Sequence, residues 1–433
     1  MKRILIANRG EIALRILRAC KMLGKQTVAI HTPVDANLPH LDLADDTVCV
    51  SHYLSSNDIV MAGLTRGCDA VHPGYGLLSE NSDFAADVEA AGMIFIGPKP
   101  EHIASLGDKL EARKCFAGLG LKPIPGSVDS IADIHEATEI AAQIGYPLIV
   151  KAAFGGGGRG IRRVAGPEQL AETLSLAMGE AEAGFGRPEV FIERLIEGAR
   201  HVEVQLLGDG KGGCIQLGTR DCSVQRRYQK LMEECPATGI EPDLVNDLLD
   251  KCVAALSALR YRNAATLEFL FSGSEFFFLE ANTRLQVEHP VTEAVMGVDI
   301  VSEQIQIAET GACSIIQSDV SPRGHSLECR ILAEDAQGQP GPGLITSLRL
   351  PGGPGVRFDS HIYVGYQVPY QYDSLIGKLI VHGASRSVAL ARMKQTLEEI
   401  QIQGIPTNIS RLLTLITHED FAGLKIDTEW SPQ

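Results

Sequence analysis

Apolar and polar positions alternate between two periods along the first thirty residues. Ile4-Leu5-Ile6-Ala7 is a short apolar run. After it, Ile12, Ile16, Cys20 and Leu23 recur at three- and four-residue intervals. The pattern predicts a strand over residues 3–8 and a helix over 11–23, closed by Gly24. A second apolar run predicts a strand over 27–30, and strand–helix–strand is how a parallel α/β domain begins. The intervening turn, Asn8-Arg9-Gly10-Glu11, lacks the GxGxxG of a dinucleotide site.

The loop His72-Pro73-Gly74-Tyr75-Gly76 is followed by Pro98, Pro100, Pro123 and Pro125, which predicts a domain boundary between about residues 100 and 125. Strands are expected over 147–151 and 161–164, on either side of Phe154-Gly155-Gly156-Gly157-Gly158-Arg159-Gly160. The result is a hairpin flap. A helix is expected over 241–260. Residues 264–271 and 276–282 alternate as two strands around a tight turn. Pro/Gly clusters at 340–343 and 351–355 indicate a loop-rich C-terminal part, with another helix over 385–400.

Length and composition narrow the class. A chain of 433 residues suggests about three domains. Forty-five per cent hydrophobic and 21% charged residues are ordinary globular values. No apolar run reaches a membrane-spanning length of about 18 residues. The apolar start resembles a signal peptide only briefly, ending at Asn8-Arg9-Gly10-Glu11. A net charge of −15 argues against a nucleic-acid partner, so an anionic substrate needs a local cationic site. None of the ten cysteines forms CxxC spacing, so zinc or a disulfide framework is not expected. Buried free thiols in a reducing cytoplasm are.

Three stretches could carry chemistry. Backbone N–H groups of the glycine flap could hold phosphate oxygens, with Lys151 adding a point charge at its base; the alternative is a plain surface hairpin. If Gly273-Ser274-Glu275 is a three-residue turn, Glu268 faces Glu280, with Asn282 on the same face. Two facing carboxylates among phenylalanines need a cation, and oxygen ligands suit Mg²⁺ shared with nucleotide phosphates; the alternative is one exposed sheet face. In Thr283-Arg284-Leu285-Gln286-Val287-Glu288, alternation on an extended segment would present Arg284, Gln286 and Glu288 together. An arginine for a small oxyanion would then stand beside a carboxylate base; the alternative is a solvated charged strand.

The stretches Ile6-Ala7-Asn8-Arg9-Gly10-Glu11-Ile12-Ala13, His72-Pro73-Gly74-Tyr75-Gly76, Arg220-Asp221-Cys222-Ser223-Val224-Gln225-Arg226-Arg227 and Glu280-Ala281-Asn282-Thr283-Arg284-Leu285-Gln286-Val287-Glu288-His289-Pro290 resemble biotin carboxylase, the ATP-grasp component of the biotin-dependent carboxylases. The resemblance spans nearly the whole chain. It implies an α/β and α+β ATP-grasp fold in three parts. These are a Rossmann-like pre-ATP-grasp domain over 1–107, an ATP-grasp domain over 108–325 with a mobile glycine-loop lid at 124–195, and a C-terminal biotin carboxylase domain over 326–433. The implied reaction is ATP-dependent carboxylation of biotin with bicarbonate through carboxyphosphate, as in acetyl-CoA carboxylase and fatty acid synthesis.

The implied roles are specific. Lys109 and Lys151 contact ATP phosphates, with Gly157 and Gly158 closing over them and ordering when ATP binds. Glu193, Arg194, Leu195 and Ile196 frame the adenine, and Leu270 packs on its ring. His201 and Gln225 lie near the ribose. Glu268, Glu280 and Asn282 hold Mg²⁺ or Mn²⁺. Lys230, Arg284, Gln286, the Val287 backbone and Glu288 hold bicarbonate. Arg330 faces biotin, with Tyr75 near it. The chain has no Met-Lys-Met biotinylation motif, so the biotin carrier protein and the carboxyltransferase are expected on other chains, with the final acceptor open.

Three departures from the family pattern stand out. Met22 and Pro354 replace a glutamate and an aromatic of the usual dimer interface, while Arg18 and Arg357 remain; this leaves a homodimer open, with an atypical interface. Gly338-Gln339-Pro340-Gly341-Pro342-Gly343 replaces the usual Leu-Pro-Ser-Pro-Gly wording. Tyr228 stands where histidine or asparagine is common. On an extended segment it would share a face with Lys230, enter the ATP and bicarbonate site, and tune it through one hydroxyl. A catalytically weak paralogue or another ATP-grasp ligase are the competing readings, against which the full set Lys109, Lys151, Lys230, Glu268, Glu280, Arg284, Glu288 and Arg330 weighs.

Overall fold

The computed structural model describes residues 1–153 and 161–432. The opening pattern folds as expected: strand Arg3–Ile6, helix Gly10–Met22 and strand Gln26–His31. The helix buries Ile12, Ile16 and Cys20 against the sheet, and Gly24 follows it in the left-handed region. Strands Asp46–Cys49, Gln26–His31, Arg3–Ile6, Ala70–His72 and Ile94–Phe95 form one parallel sheet in that order. Parallel strands covered by helices are buried on both sides, which is why they read as continuous apolar runs.

The first two motifs of the sequence meet at the end of this sheet. Asn8 Nδ2 donates to the carbonyls of Pro73 (2.6 Å) and Tyr75 (2.8 Å). Gly74 has φ +65°, and a Cβ there would stand 2.9 Å from Asn8 Nδ2. Only glycine lets the two loops close on each other.

An eight-stranded antiparallel sheet runs through the rest of the molecule. Its order is Glu275–Asn282, Arg262–Ser272, Arg200–Asp209, Cys214–Arg226, Gln229–Cys235, His325–Leu332, Leu375–Gly383 and Val356–Ser360. The sheet crosses the expected division at 325/326 without a break, because Met232 to Cys235 pair with Cys329 to Ser326. A third sheet of Ile161–Val164, Leu148–Ala152 and Val190–Arg194 carries helices Ile134–Ile144 and Pro167–Phe185. Its first two strands pair from Leu148↔Val164 to Lys151↔Ile161, which is the expected hairpin. The 154–160 loop, including Gly157 and Gly158, lies outside the described residues.

One face of the large sheet packs on helix Pro242–Ala258, where Leu248, Cys252 and Leu256 meet Val204, Leu267, Phe269 and Phe278. All ten cysteines are free, but they are not uniformly buried: Cys49 is exposed and Cys115, Cys214 and Cys313 are half-buried. Among the described residues no helix is long and apolar enough to cross a membrane.

Phe278 is fully buried, with Phe116 and Phe269 rings 4.8 and 5.9 Å away. Phe278→Ala is expected to destabilise the fold by about 3–5 kcal/mol, read from the urea midpoint at unchanged slope. A loss under about 1 kcal/mol would show that this aromatic cluster is not a packed core.

Candidate functional site

Strand Gln229–Cys235 carries Lys230 into a nest of carboxylates. Its Nζ donates to Glu203 Oε2 (2.7 Å), Glu268 Oε1 (2.8 Å) and Glu288 Oε1 (2.7 Å). Glu203 and Glu268 are direct register partners on adjacent strands, so both carboxylates stand on one face of the sheet. Like charges so placed repel unless cations intervene. Lys230 is one cation. Arg220, fully buried, is another: it pairs with Glu203 and also donates to Gln205 Oε1 and Thr292 Oγ1, each at 2.9 Å.

Glu268 is the most heavily used carboxylate. Besides Lys230 it accepts from Asn282 Nδ2 (2.9 Å) and Gln286 Nε2 (3.2 Å), and His201 Nε2 lies 2.9 Å from its other oxygen. Burial opposes its charge, but Lys230 and His201 outweigh burial and hold it well below the usual carboxylate range. Glu288 sits at the N-terminus of helix His289–Met296. Its second oxygen accepts from Arg330 Nη2 at 3.0 Å. Burial again works against the charge, and Lys230, Arg330 and Arg220 overcome it, so Glu288 is held well below its ordinary value. Lys230 is largely withdrawn from solvent, which opposes its charge, yet the three glutamates push its ammonium well above the usual lysine value.

Glu268 does face Glu280, but by a different route from the expected one. The turn has two residues, Gly273 and Ser274, with Ser272 paired to Glu275. A bulge that inserts Leu279 then shifts the register by one and brings Glu268 opposite Glu280. Glu280 is half-buried and has no hydrogen-bond or ion-pair partner among the described residues. The clusters at ligand distance among the described residues are His201/Glu203/Glu268 and Glu203/Cys222/Glu288, and neither includes Glu280. Lys230 contacts both clusters. A lone carboxylate opposite Glu268 nevertheless fits a divalent ion that shares its shell with phosphates.

The extended reading of 283–288 is corrected. Arg284 lies in a bend and Val287-Glu288 in a turn, because helix His289–Met296 starts at the next residue. Arg284 and Gln286 still meet: Arg284 Nη1 donates to Gln286 Oε1 (2.9 Å), while Nη2 reaches Asn282 Oδ1 (3.0 Å) and Nε reaches Glu80 Oε2 (2.9 Å). The Val287 carbonyl accepts from Lys378 Nζ (2.8 Å), which leaves its N–H as the group to offer a ligand.

The Tyr228 reading is also corrected. Arg227 and Tyr228 have φ +52° and +64°, and Arg226 pairs with Gln229. They are the two-residue tip of a hairpin, not part of a strand. Tyr228 is 54% exposed and shares no strand face with Lys230, so the ground for placing its hydroxyl in the site is gone.

On the nucleotide side, His201 Nδ1 lies 2.8 Å from Gln225 Nε2, and Leu270 is the register partner of His201. These three expected neighbours are together. Lys151 Nζ is 2.5 Å from Glu193 Oε2, with Arg113 3.3 Å from the other oxygen. The Glu193 side chain is thus committed to Lys151. Arg194 is exposed, its N–H on Pro125, and the Leu195 N–H donates to Pro147 (2.9 Å); Leu195 and Ile196 are half-buried beyond the strand end. Lys109 opens helix Lys109–Gly118, capped by Asp108, and has no partner among the described residues. On the far side, Arg330 Nε donates to Glu233 Oε1 (2.6 Å), and the Tyr75 hydroxyl donates to Glu11.

Glu203, Arg220, Glu233, Glu328 and Lys378 were not anticipated. Their signal was a charge inside an otherwise apolar strand, as in Val202-Glu203-Val204 or Leu379 beside Lys378. Such charges are seldom buried unpaired.

A three-stranded sheet bearing a hairpin and a large antiparallel sheet carrying buried acidic and basic groups are the parts of an ATP-grasp enzyme. Family models agree: residues 1–103 match the biotin carboxylase N-terminal domain, 108–314 the carbamoyl-phosphate synthase L chain ATP-binding domain, and 328–433 the biotin carboxylase C-terminal domain. A biotin carboxylase of Pseudomonas aeruginosa is 50% identical, covering 94% of this chain and 93% of its own length. The biotin carboxylase domain dimer of Hydrogenobacter thermophilus 2-oxoglutarate carboxylase, solved with MgADP, ADP and bicarbonate, superposes with TM-score 0.97 at 42% identity, over 99% of this chain and 96% of that one. The Campylobacter jejuni biotin carboxylase–β-γ-ATP complex gives TM-score 0.97 at 42% identity, over 99% and 98%. The chain belongs to the biotin carboxylase family.

Removing Lys230 takes from Glu203, Glu268 and Glu288 the ammonium they share. Lys230→Met is expected to destabilise the protein by about 3–5 kcal/mol at neutral pH. In the wild type, depressed Glu268 and Glu288 contribute stability above their unfolded values near ~4.3, and this contribution fades as pH falls below them. The gap between variant and wild type should therefore narrow on acidification, measured by urea unfolding at several pH values. A gap independent of pH would show that Lys230 acts through packing alone.

Proposed function

We propose that the chain cleaves ATP to carboxylate biotin with bicarbonate, yielding carboxybiotin, ADP and phosphate. One observation carries the reading: Glu288 is shared between Lys230, beside the acidic nucleotide face, and Arg330, on the opposite side. A base held between two cations, each able to take a separate substrate, suits a reaction with two anionic partners.

In this reading Lys109 and Lys151 hold the phosphates, Glu193 to Ile196 and Leu270 frame the adenine, and His201 and Gln225 flank the ribose. Glu268, Glu280 and Asn282 hold Mg²⁺, which when bound supplies positive charge to the phosphates. Lys230, Arg284, Gln286 and the Val287 N–H hold bicarbonate. Glu288 removes its proton as the bicarbonate oxygen attacks the γ-phosphorus and the bond to ADP breaks. Glu288 as found is too well stabilised to be a good base. When Lys230 turns to bicarbonate and Arg330 to biotin, two of the contacts that depress it are released, and its basicity rises where it is used. Carboxyphosphate then breaks down to CO₂ and phosphate, and the phosphate takes the ureido proton of biotin. Arg330, with Tyr75 alongside, stabilises the enolate that attacks CO₂.

The chain divides in this reading after residues 107 and 325, supported by the ranges of the three family matches, with 124–195 closing as a lid. The reading calls for a biotin carrier and a carboxyltransferase as partners. A cytoplasmic location is supported by ten unpaired thiols. A homodimer would use the surface that includes Arg18 and Arg357, next to the 580 Å³ cavity they help line.

ATP cleavage assayed with and without bicarbonate and free biotin tests the reading. ADP release should require bicarbonate and rise with biotin; release indifferent to both would point to another ATP-grasp ligase, and none at all to an inactive paralogue. Arg330→Ser should lower biotin carboxylation much more than bicarbonate-dependent ATP cleavage, and equal losses would move Arg330 to the nucleotide side. Glu280→Gln should raise the Mg²⁺ requirement for ATP turnover by an order of magnitude or more while leaving the unfolding midpoint unchanged. An unaltered requirement would remove Glu280 from the metal set.

A further inference from the structure

Behind Arg330 lies a second pair of buried carboxyls that the reaction above does not use. Glu233 and Glu328 are direct register partners on adjacent strands, so their side chains share one face of the sheet. Glu328 is fully buried and Glu233 nearly so. Glu233 Oε1 accepts from Arg330 Nε, but among the described residues its Oε2 has no partner and neither oxygen of Glu328 has one. Three orphaned carboxyl oxygens on two facing residues cannot all carry lone charge in a dry interior.

We propose that Glu233 and Glu328 hold one proton between them, Glu328 as the neutral acid donating to Glu233 Oε2, and that this pairing aims the Arg330 guanidinium at the biotin side of the site. Glu328 is thus a positioning residue acting through Glu233, an inference that rests on the role given to Arg330. The nearby cations cannot take over the task. Lys378, opposite Arg330 on the next strand, donates to Val287 and lies 3.1 Å from Glu11. Arg330 is already divided between Glu233 and Glu288.

The groups around Glu328 are Glu233 and Lys378 on the flanking strands, Arg330 on its own strand, Glu288 at the adjoining helix start, with His289 next to it facing Lys378, and the Tyr75 phenol with Glu11 beyond it. The other sheet face is apolar, around Leu327, Cys329 and Leu412. Burial pushes Glu328 well above the carboxylate range against the pull of Lys378, and pushes Glu233 up to about 7 against Arg330. Carboxyls raised in this way keep the proton at low and neutral pH and release it as pH rises. The added charge would draw Arg330 or Lys378 off its present contacts, so biotin carboxylation should fall on the alkaline side.

Glu328→Gln copies the neutral acid, keeping a donor; Glu328→Ala removes it. The glutamine protein should keep kcat for carboxylation of free biotin within about threefold and lose the alkaline decline, while the alanine protein loses about tenfold or more at an unchanged KM for ATP. Infrared spectra of wild type minus the glutamine protein at neutral pH should contain the C=O stretch of a protonated carboxylic acid. No such band, or a glutamine protein as impaired as the alanine one, would overturn the proposal. The band is read without turnover, so it decides the proton whether or not the wild type shows bicarbonate-dependent ATP cleavage.

Discussion

The site is organised by one ammonium group among three buried carboxylates. Glu203, Glu268 and Glu288 come from two strands and a helix start, and among the described residues Lys230 alone touches all three. Without it, the cross-strand pair Glu203–Glu268 would face each other with no cation between them, and Glu288 would lose the first of the cations that hold it ionised. Arg220 supports the arrangement from beneath, and His201 and Arg330 complete it from the two ends. An anion that takes Lys230 or Arg330 loosens Glu288, and a cation that takes Glu268 loosens Lys230.

The fold keeps this balance rigid by running one sheet under all of it. Strands Arg200–Asp209, Arg262–Ser272, Gln229–Cys235 and His325–Leu332 belong to a single ladder, so Glu203, Glu268, Lys230 and Arg330 are fixed by register. The N-terminal domain adds Tyr75 on a loop that Asn8 ties to the end of the parallel sheet. It also adds Glu80, which holds Arg284. Groups on the two sides of Glu288 thus come from different parts of the chain.

Much of this was legible in the sequence. The strand–helix–strand opening, the hairpin around the glycine run and the acidic hairpin follow from periodicity and turn residues, and the family motifs point to the ATP-grasp biotin carboxylase fold. Periodicity failed where the backbone departs from a regular ladder. The bulge at Leu279 preserves the Glu268–Glu280 facing with a shorter turn than expected, and nothing in the composition of Phe276 to Leu279 announces it. Arg227-Tyr228 reads as more strand, since neither residue is a usual occupant of a positive-φ tip. Arg284 to Glu288 alternates like a strand but is bent by the helix that follows. Glu203, Glu233 and Glu328 went unnoticed because a charge in a strand suggests a solvent face until the neighbouring strands are known.

In the proposed reaction Glu288 deprotonates bicarbonate for direct attack of its oxygen on the γ-phosphorus of ATP. ATP cleavage in the presence of biotin and bicarbonate labelled with ¹⁸O, in unlabelled water, tests this step. The phosphate released should carry one ¹⁸O atom from bicarbonate, detected by mass spectrometry. Phosphate whose incoming oxygen derives only from water would contradict it, since water and not bicarbonate would then be the nucleophile.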